Sequence, residues 1–536
     1  MARRRNRGNA PSLALRRRSV LSGMAGALLV PRAFAQSPAA PAIVPSEKGR
    51  PLLPCGVASG DVTAHRAIIW SKTDRPARMV VELADDESFR RARRITGPTA
   101  LEDSDFTARL DVDGLTPGET VFYRVSFQDL ADLGSVSAPL TGRFRAAPDR
   151  AQDISFAFSG DEAGQGWGIN PEIGGYRIYE SMRRAKPDFF VHSGDQIYAD
   201  NPIVAEAKTD DGRVYKNLTV PAKAQVAQSL ADYRGNFAYN FLDENKRRFN
   251  AEVPLLIQWD DHETRNNWYP GQILGDERYT QRSASLLSAW ARRALFENNP
   301  MRFDRDDPER IYRSFSFGPA LEVFMLDERS YRGPNSPNRQ MVLDADSAFV
   351  GAAQLTWLQR ALERSKATWK LIASDMPLSL VVPDLNPDVP KGTFEAWANG
   401  DNGAPAGREL EVARLLSFIK RKAIKNVVWV TADVHYAAAY RYAPEKARFT
   451  DFAPFWEFVA GPINAGTFGP NALDMTFGPE EKFLSIPRDM KQNRSPLDGR
   501  QYFGLGRIDG HSRALVVTLH DIDGKELYKV ELTPEA

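Results

Sequence analysis

Four short apolar runs, Ile154–Ser159, Phe189–His192, Leu255–Trp259 and Val427–Thr431, each stop at a turn that carries at least one aspartate, and three of the four runs or turns carry a histidine. Segments of helical period separate them or follow them: Tyr176–Arg184, polar sequence over residues 222–242, then Arg282–Phe296, Gln354–Ser365 and Arg408–Lys422. Strand-like runs alternating with helical ones predict an α/β sheet covered by helices. In such sheets ligands sit at the carboxyl ends of the strands, so the four acidic turns are expected on one rim. Leu321–Leu326 and Trp369–Ser374 add strands, and residues 514–532 read as a closing hairpin around Asp521-Ile522-Asp523-Gly524. Residues 383–407, rich in Pro, Gly, Asn and Asp, predict a long loop that serves as a lid or substrate wall.

Before Pro148 the pattern is different. Ala67–Trp70, Met79–Leu83, Ala108–Val112 and Val121–Val125 alternate or cluster apolar residues between turn signals, with no long helix among them. A β-sandwich over residues 54–147 is the expectation, of the fibronectin-III or Ig-like kind. In it Tyr123, after Leu115-Thr116-Pro117-Gly118, ties a strand corner to the backbone, and Asp61 and His65 lie on the surface. Residues 36–53 read as a linker, and residues 148–536 as one α/β domain.

Met1–Ala35 holds eight arginines and no acid, so the remainder, with 62 basic against 69 acidic residues, carries a net charge of −7. A mildly acidic body argues against nucleic acid as a partner. The leader has basic residues, an uncharged segment from Val20 to Val30 and an Ala33-Phe34-Ala35 cleavage site, the layout of an export signal. Arg17-Arg18-Ser19-Val20-Leu21 resembles a twin-arginine motif, which implies the Tat export machinery, a folded cargo and a periplasmic or extracellular destination. The uncharged segment is too short for a permanent membrane anchor. A single cysteine, Cys55, excludes an intrachain disulfide and reads as a small apolar residue.

The acidic turns are Ser159-Gly160-Asp161-Glu162, Ser193-Gly194-Asp195-Gln196-Ile197-Tyr198, Trp259-Asp260-Asp261-His262-Glu263 and Thr431-Ala432-Asp433-Val434-His435-Tyr436. Carboxylates gathered without basic partners repel one another, and bound cations relieve them. Of six histidines in the chain, His192, His262 and His435 fall in these segments.

GDQIY, WDDHE followed by Asn266-Asn267, and ADVHY together resemble the PhoD family of alkaline phosphatases and phosphodiesterases, within the calcineurin-like metallophosphoesterases. The resemblance implies an α-β-β-α sandwich with a two-metal site, preceded by the all-β domain. It implies that Asp195 bridges two metals, that Tyr198 and His435 bind the first, and that Asp261 and Asp433 bind the second, with Asp260 as the alternative to Asp261. His262 would donate a proton or hydrogen bond to phosphate or leaving group. The family often has Cys at its first motif; here Asp161 stands there and is taken as a ligand, with Glu162 as a rival whose other reading is a helix cap or solvated acid. The family's metals are Fe³⁺ and Ca²⁺, with Zn²⁺ or Mn²⁺ as alternatives, and a carboxylate in place of a thiolate shifts the preference toward hard ions. Arg265, Asn266, Asn267 and Arg329 are candidates for phosphate contact. The expected activity is hydrolysis of phosphomonoesters, phosphodiesters or both. The rivals are a phospholipase D-type or teichoic-type phosphodiesterase and a non-catalytic, metal-stabilised binding protein.

Overall fold

The structure, a computed structural model, describes residues 49–535. The leader read from Met1–Ala35 lies outside the described residues, as does all but the last part of the linker.

Two large mixed sheets share one apolar layer. The first has nine strands, in the order Glu526–Leu532, Leu515–Asp521, Tyr502–Ile508, Ile154–Ser159, Phe189–His192, Leu255–Ile257, Val57–Gly60, Ala67–Lys72 and Thr107–Val112. Its centre, from Ile154–Ser159 to Val57–Gly60, is parallel. The second has seven, in the order Arg313–Phe317, Leu321–Met325, Trp369–Ala373, Val427–Thr431, Phe455–Val459, Ala438–Tyr442 and Pro479–Leu484. Alternation along the central strands decides which residues face which layer. Phe156, Phe158, Phe189, Val191 and Leu256 pack with Val323, Leu371, Val428 and Phe458 of the second sheet. Their neighbours Ala157, Phe190, Leu255 and Ile257 turn the other way, onto Ile178, Met182 and Phe249 of the helices Arg177–Ala185 and Glu244–Glu252. Helices Gly351–Arg364 and Glu409–Arg421 join the inner core through Leu355, Leu358, Leu415 and Ile419. Ile154–Ser159, Phe189–His192 and Val427–Thr431 fall where the sequence reading places them, whereas the helical reading over residues 222–242 shortens to Leu230–Asn240 and the strands Ala438–Tyr442, Phe455–Val459 and Tyr502–Ile508 have no counterpart in that reading.

The N-terminal all-β region has a four-stranded sheet, Arg93–Ala100, Ala77–Ala84, Thr120–Asp129 and Leu140–Arg145. It packs through Met79, Val81, Tyr123 and Val125 on Val57, Ile69 and Val112. Those three belong to strands of the nine-stranded sheet, which continues from the N-terminal region into the centre by the pairing of Gly60 with Leu255. The region is thus not walled off from the rest.

Two expectations for this region are corrected. Asp61 is fully buried rather than on the surface: its carboxylate pairs with Arg313 at 2.8 Å and accepts from the Arg302 N–H at 2.6 Å, and its own N–H donates to the Leu255 carbonyl. A charge can be buried when paired, which polarity patterning does not reveal. Tyr123 does not tie its own corner: its hydroxyl donates to the Ala251 carbonyl at 3.1 Å, on the helix Glu244–Glu252. His65 is exposed as expected.

Candidate metal centre

The four acidic turns converge. Ligand atoms of Asp161, Asp195 and His435 lie within 4.8 Å of one another, and so do those of Asp195, Asp261 and His262, so Asp195 is common to two donor sets. All of these residues are buried.

The backbone there is forced. Asp161, Asp195, Asp433 and His435 all have positive φ, at 72°, 54°, 59° and 61°. A side chain in the left-handed region costs free energy, and such strain persists only where the surroundings over-determine it. Gly194 has φ 102°, and a Cβ on it would come 2.5 Å from the Asp260 Cβ, so only glycine lets the two turns approach. Glu263, which sequence reasoning missed, then ties them together. Its carboxylate accepts from the N–H groups of Asp195 (3.2 Å), Gln196 (2.7 Å) and Asp260 (2.8 Å). The last residue of WDDHE thus serves the backbone of GDQ, which the shared motif length alone would not suggest.

On one side, the Tyr198 hydroxyl lies 2.8 Å from His435 Nε2, and Asp161 Oδ1 lies 3.3 Å from the same nitrogen. His435 Nδ1 is held by the Gly466 carbonyl. Asp161 Oδ2 is buried without a hydrogen-bond partner. On the other side, Asp261 Oδ2 accepts from the Asn267 N–H at 2.5 Å, whereas Oδ1 is buried without a partner. Its neighbour Asp260 is committed through one oxygen: Arg329 holds Oδ1, at 2.6 Å from Nε and 2.5 Å from Nη2, whereas Oδ2 is buried without a hydrogen-bond partner. Asp433 is half-buried beside this group, outside both three-residue sets. Burial, reinforced by Asp260, Glu395 and Asp261, raises its carboxyl well above the ordinary range. Burial and the neighbouring Asp261 and Asp260 do the same to Asp195, and burial with Asp195 and Asp161 raises Tyr198. Asp195, Asp433 and Tyr198 are driven toward neutrality, and Asp161 and Asp261 each keep an orphaned oxygen; bound cations would charge the first group and satisfy the second. The donor set therefore fits metal.

His262 sits at the edge of the centre. Nδ1 is 2.6 Å from Asp200 Oδ1, its ring stacks on Tyr198 at 4.1 Å between centroids, and Nε2 is 3.9 Å from Asp261 Oδ1. Burial opposes charging the imidazole, but Asp200 and Asp261 outweigh it and push its pKa up to about 9. Asp200, five residues after Asp195, was not singled out in the sequence; an acid downstream of a GDQIY turn carries no distinctive signal.

The candidates for phosphate contact divide. Asn266 is partly exposed; its N–H donates to Asp200 Oδ2 at 3.0 Å and its Nδ2 to Asn386 Oδ1 at 3.2 Å. Asn267 is buried and donates from Nδ2 to Asp384 at 2.9 Å, and Arg265 pairs with Asp388 at 2.9 Å. Three consecutive residues beyond WDDHE thus pair with alternate residues 384, 386 and 388 of the predicted long loop, which lies against the centre. Arg329 does not reach a rim: it is fully buried, paired with Asp260 and with Glu395 at 2.6 Å, and lies 3.8 Å from Asp261. Its expected phosphate contact is replaced by an internal ion-pair role. Glu162, the rival to Asp161, is neither cap nor solvated. It is fully buried with Lys246 at 2.7 Å, the Tyr179 hydroxyl and His192, and Lys246 and His192 overcome the burial that would otherwise raise it.

Residues 156–519 match the PhoD-like phosphatase family, and residues 37–148 match the PhoD-like phosphatase N-terminal domain. The chain belongs to the PhoD-like phosphatase family. It is accordingly a phosphoric ester hydrolase. Alkaline phosphatase D of Bacillus subtilis (strain 168) is 28% identical over 436 residues, spanning 77% of this chain and 70% of that protein. A solved structure of PhoD superposes with a TM-score of 0.65 at 22% identity, covering 90% of this chain and 89% of that one. A purple acid phosphatase from yellow lupin (Lupinus luteus) seeds superposes with a TM-score of 0.53 at 12% identity, covering 90% and 74%. At these identities the two structures speak for the fold. Among the described residues no helix is long and apolar enough to cross a membrane.

Proposed function

We propose that this chain is an exported phosphoesterase that hydrolyses phosphomonoesters, phosphodiesters or both at a two-metal centre bridged by Asp195. The observation that carries the reading is the pair of donor sets sharing Asp195, each with a buried carboxylate oxygen left without a partner, Asp161 Oδ2 and Asp261 Oδ1. Asp161, Asp195, Tyr198 and His435 would hold one ion, and Asp195, Asp261 and Asp433 the other. Asp261 is preferred over Asp260 because its ligand oxygen groups with the ligand atoms of Asp195 and His262, a set to which Asp260, held by Arg329 through Oδ1, does not belong. Oxygen-rich donors favour hard cations, in line with Fe³⁺ and Ca²⁺; Asp161 in place of the usual thiolate favours them further, with Mn²⁺ or Zn²⁺ as alternatives.

Ions held by these residues would supply charge neutralisation of the phosphate ester and activation of water as the nucleophile near neutral pH. The chain supplies the rest. Asp200 fixes the His262 ring through Nδ1, which leaves Nε2 to donate to the phosphate or to the departing alkoxide. The stack of Tyr198 under His262 keeps water from one face of the ring. Glu263 and the residues at positive φ hold the ligands in place, so little reorganisation is needed when substrate binds.

The deciding experiment is elemental analysis of natively exported protein together with hydrolysis of an aryl phosphate and an aryl phosphodiester, with and without chelator. Two ions per chain and chelator-sensitive hydrolysis are expected; metal-free protein with full activity would refute the reading. Export through the leader is tested separately with R17K/R18K, which should leave the protein in the cytoplasm.

A further inference from the structure

Lys246 belongs to no motif in the sequence, yet its ammonium is buried against the acid that follows Asp161. Nζ donates to Oε1 and Oε2 of Glu162 at 2.7 and 2.8 Å, the Tyr179 hydroxyl donates to the same carboxylate, and His192 Nε2 lies 3.0 Å from it. Glu162 is fully buried, so without Lys246 its charge would be left uncompensated. The pairing also has a directional effect. Of two adjacent acids, Glu162 is saturated by donors on the helix side, while Asp161 keeps an unpartnered Oδ2. Both residues are pinned to the bridge, Asp161 N–H to the Gly194 carbonyl at 3.2 Å and Glu162 N–H to the Asp195 carbonyl at 2.8 Å. A shift of the Glu162 backbone would therefore carry Asp161 and the Gly194-Asp195 turn with it.

Lys246 is carried by the helix Glu244–Glu252, and that helix is docked on the N-terminal all-β region. The Tyr123 hydroxyl donates to the Ala251 carbonyl at 3.1 Å, and Arg143 pairs with Glu252 at 2.9 Å. Gly142 lies so close to the Ala251 carbonyl that a Cβ would not fit between them. A continuous set of contacts runs from the strands Thr120–Asp129 and Leu140–Arg145, through the helix, to Glu162 and the Asp161 turn.

We propose that Lys246 is a positioning residue for the Asp161 side of the centre, and that the N-terminal all-β region acts on the centre through it. The proposal rests on the metal reading above. It assigns the N-terminal region a part in catalysis in place of a separate adhesive or binding role.

The test uses the full chain, with Mn²⁺ affinity measured by chelator competition alongside melting temperature and kcat and KM on an aryl phosphate. Lys246→Met should lower affinity for one of two ions by about 10–100-fold, the usual effect of losing a group that orients a ligand, with KM unchanged at saturating metal. Glu162→Gln combined with Lys246→Met leaves no unpaired charge and should recover most of that loss, whereas a residue needed only for folding would shift the melting temperature without selective loss of one ion. Tyr123→Phe with Glu252→Gln should lower the same affinity, by less. Wild-type affinity in Lys246→Met, or a double variant no better than the single, overturns the role of Lys246; wild-type affinity in Tyr123→Phe/Glu252→Gln overturns that of the N-terminal region. Should Lys246→Met not fold, Glu162→Asp keeps the charge but withdraws it from Nζ, with reduced affinity expected and unchanged affinity overturning the proposal. Wild-type protein that takes up no ion would refute the centre itself, an outcome distinct from wild-type uptake with undiminished uptake by the variants.

Discussion

His262 Nδ1 lies 2.6 Å from Asp200 Oδ1, and this contact fixes which nitrogen the imidazole offers to the centre. Asp200 also accepts from the Asn266 N–H at 3.0 Å, so one carboxylate holds both the ring and the segment that follows it. A histidine at the end of a turn is otherwise free to swing. Here its Nε2 is left 3.9 Å from an oxygen of Asp261.

His262→Ala should therefore retain metal and lose turnover, by about 10²–10⁴-fold in kcat, the range for a positioned proton donor. Asp200→Asn should lose less. Against the effect of burial, Asp200 raises the pKa of the His262 imidazole above its ordinary value, so activity that needs the charged ring should decline on the alkaline side as that proton is lost. Removing the Asp200 charge moves the decline to lower pH. A kcat–pH profile of wild type and Asp200→Asn checks the direction, and metal loss in His262→Ala would instead make the imidazole a ligand.

Arg329→Leu distinguishes a buried ion pair from a phosphate contact. A phosphate donor at the rim would raise KM and leave stability unchanged. Arg329 is instead fully buried between Asp260 and Glu395, and removing one member of such a group typically costs about 3–5 kcal/mol because the partner charges remain buried. A large drop in melting temperature is expected, and a variant with wild-type stability and raised KM would contradict this placement.

Arg329 also marks what the sequence could and could not reveal. Strand positions followed from short apolar runs, and the convergence of Asp161, Asp195, Asp261 and His435 followed from their places at the ends of those runs. The supporting groups were not legible. Glu263, Asp200, Lys246 and the buried Asp61 are charged residues, which composition assigns to the surface. Their burial depends on partners 62 to 252 residues away, from His262 for Asp200 to Arg313 for Asp61, and no local pattern announces such a pair. The strand Val57–Gly60 was not legible for a related reason: it is four residues long, and its pairing with Leu255 is a long-range event.

Glu409 gives a stability prediction away from the centre. Burial, with Asp474 and Asp401 adding to it, pushes its carboxyl up to about 9, although it accepts from the Ala406 N–H and the Asn399 amide. The unfolded chain releases this proton near the ordinary value of 4.5, so between there and pH 9 the folded state holds the extra proton. Stability from this group is thus present at low pH and is lost as pH rises through that window. Glu409→Gln, which needs no proton, should gain melting temperature relative to wild type as pH goes from about 5 to about 9. A difference independent of pH would show that the group does not titrate in this way.

Gly194→Ala tests whether the approach of the two central turns depends on backbone shape. At φ 102° an L-residue is strained by about 1–3 kcal/mol, and its Cβ would meet that of Asp260 at 2.5 Å. Asp260 cannot simply retreat, because Arg329 holds its carboxylate and Glu263 holds its N–H. The strain should instead open the gap between Asp195 and Asp261, which belong to one donor set. Loss of bound metal should then exceed loss of stability: chelator competition should show weakened binding in protein that still melts cooperatively above the assay temperature. Normal metal content in a destabilised Gly194→Ala protein would mean that the centre tolerates a wider spacing than the turn geometry implies.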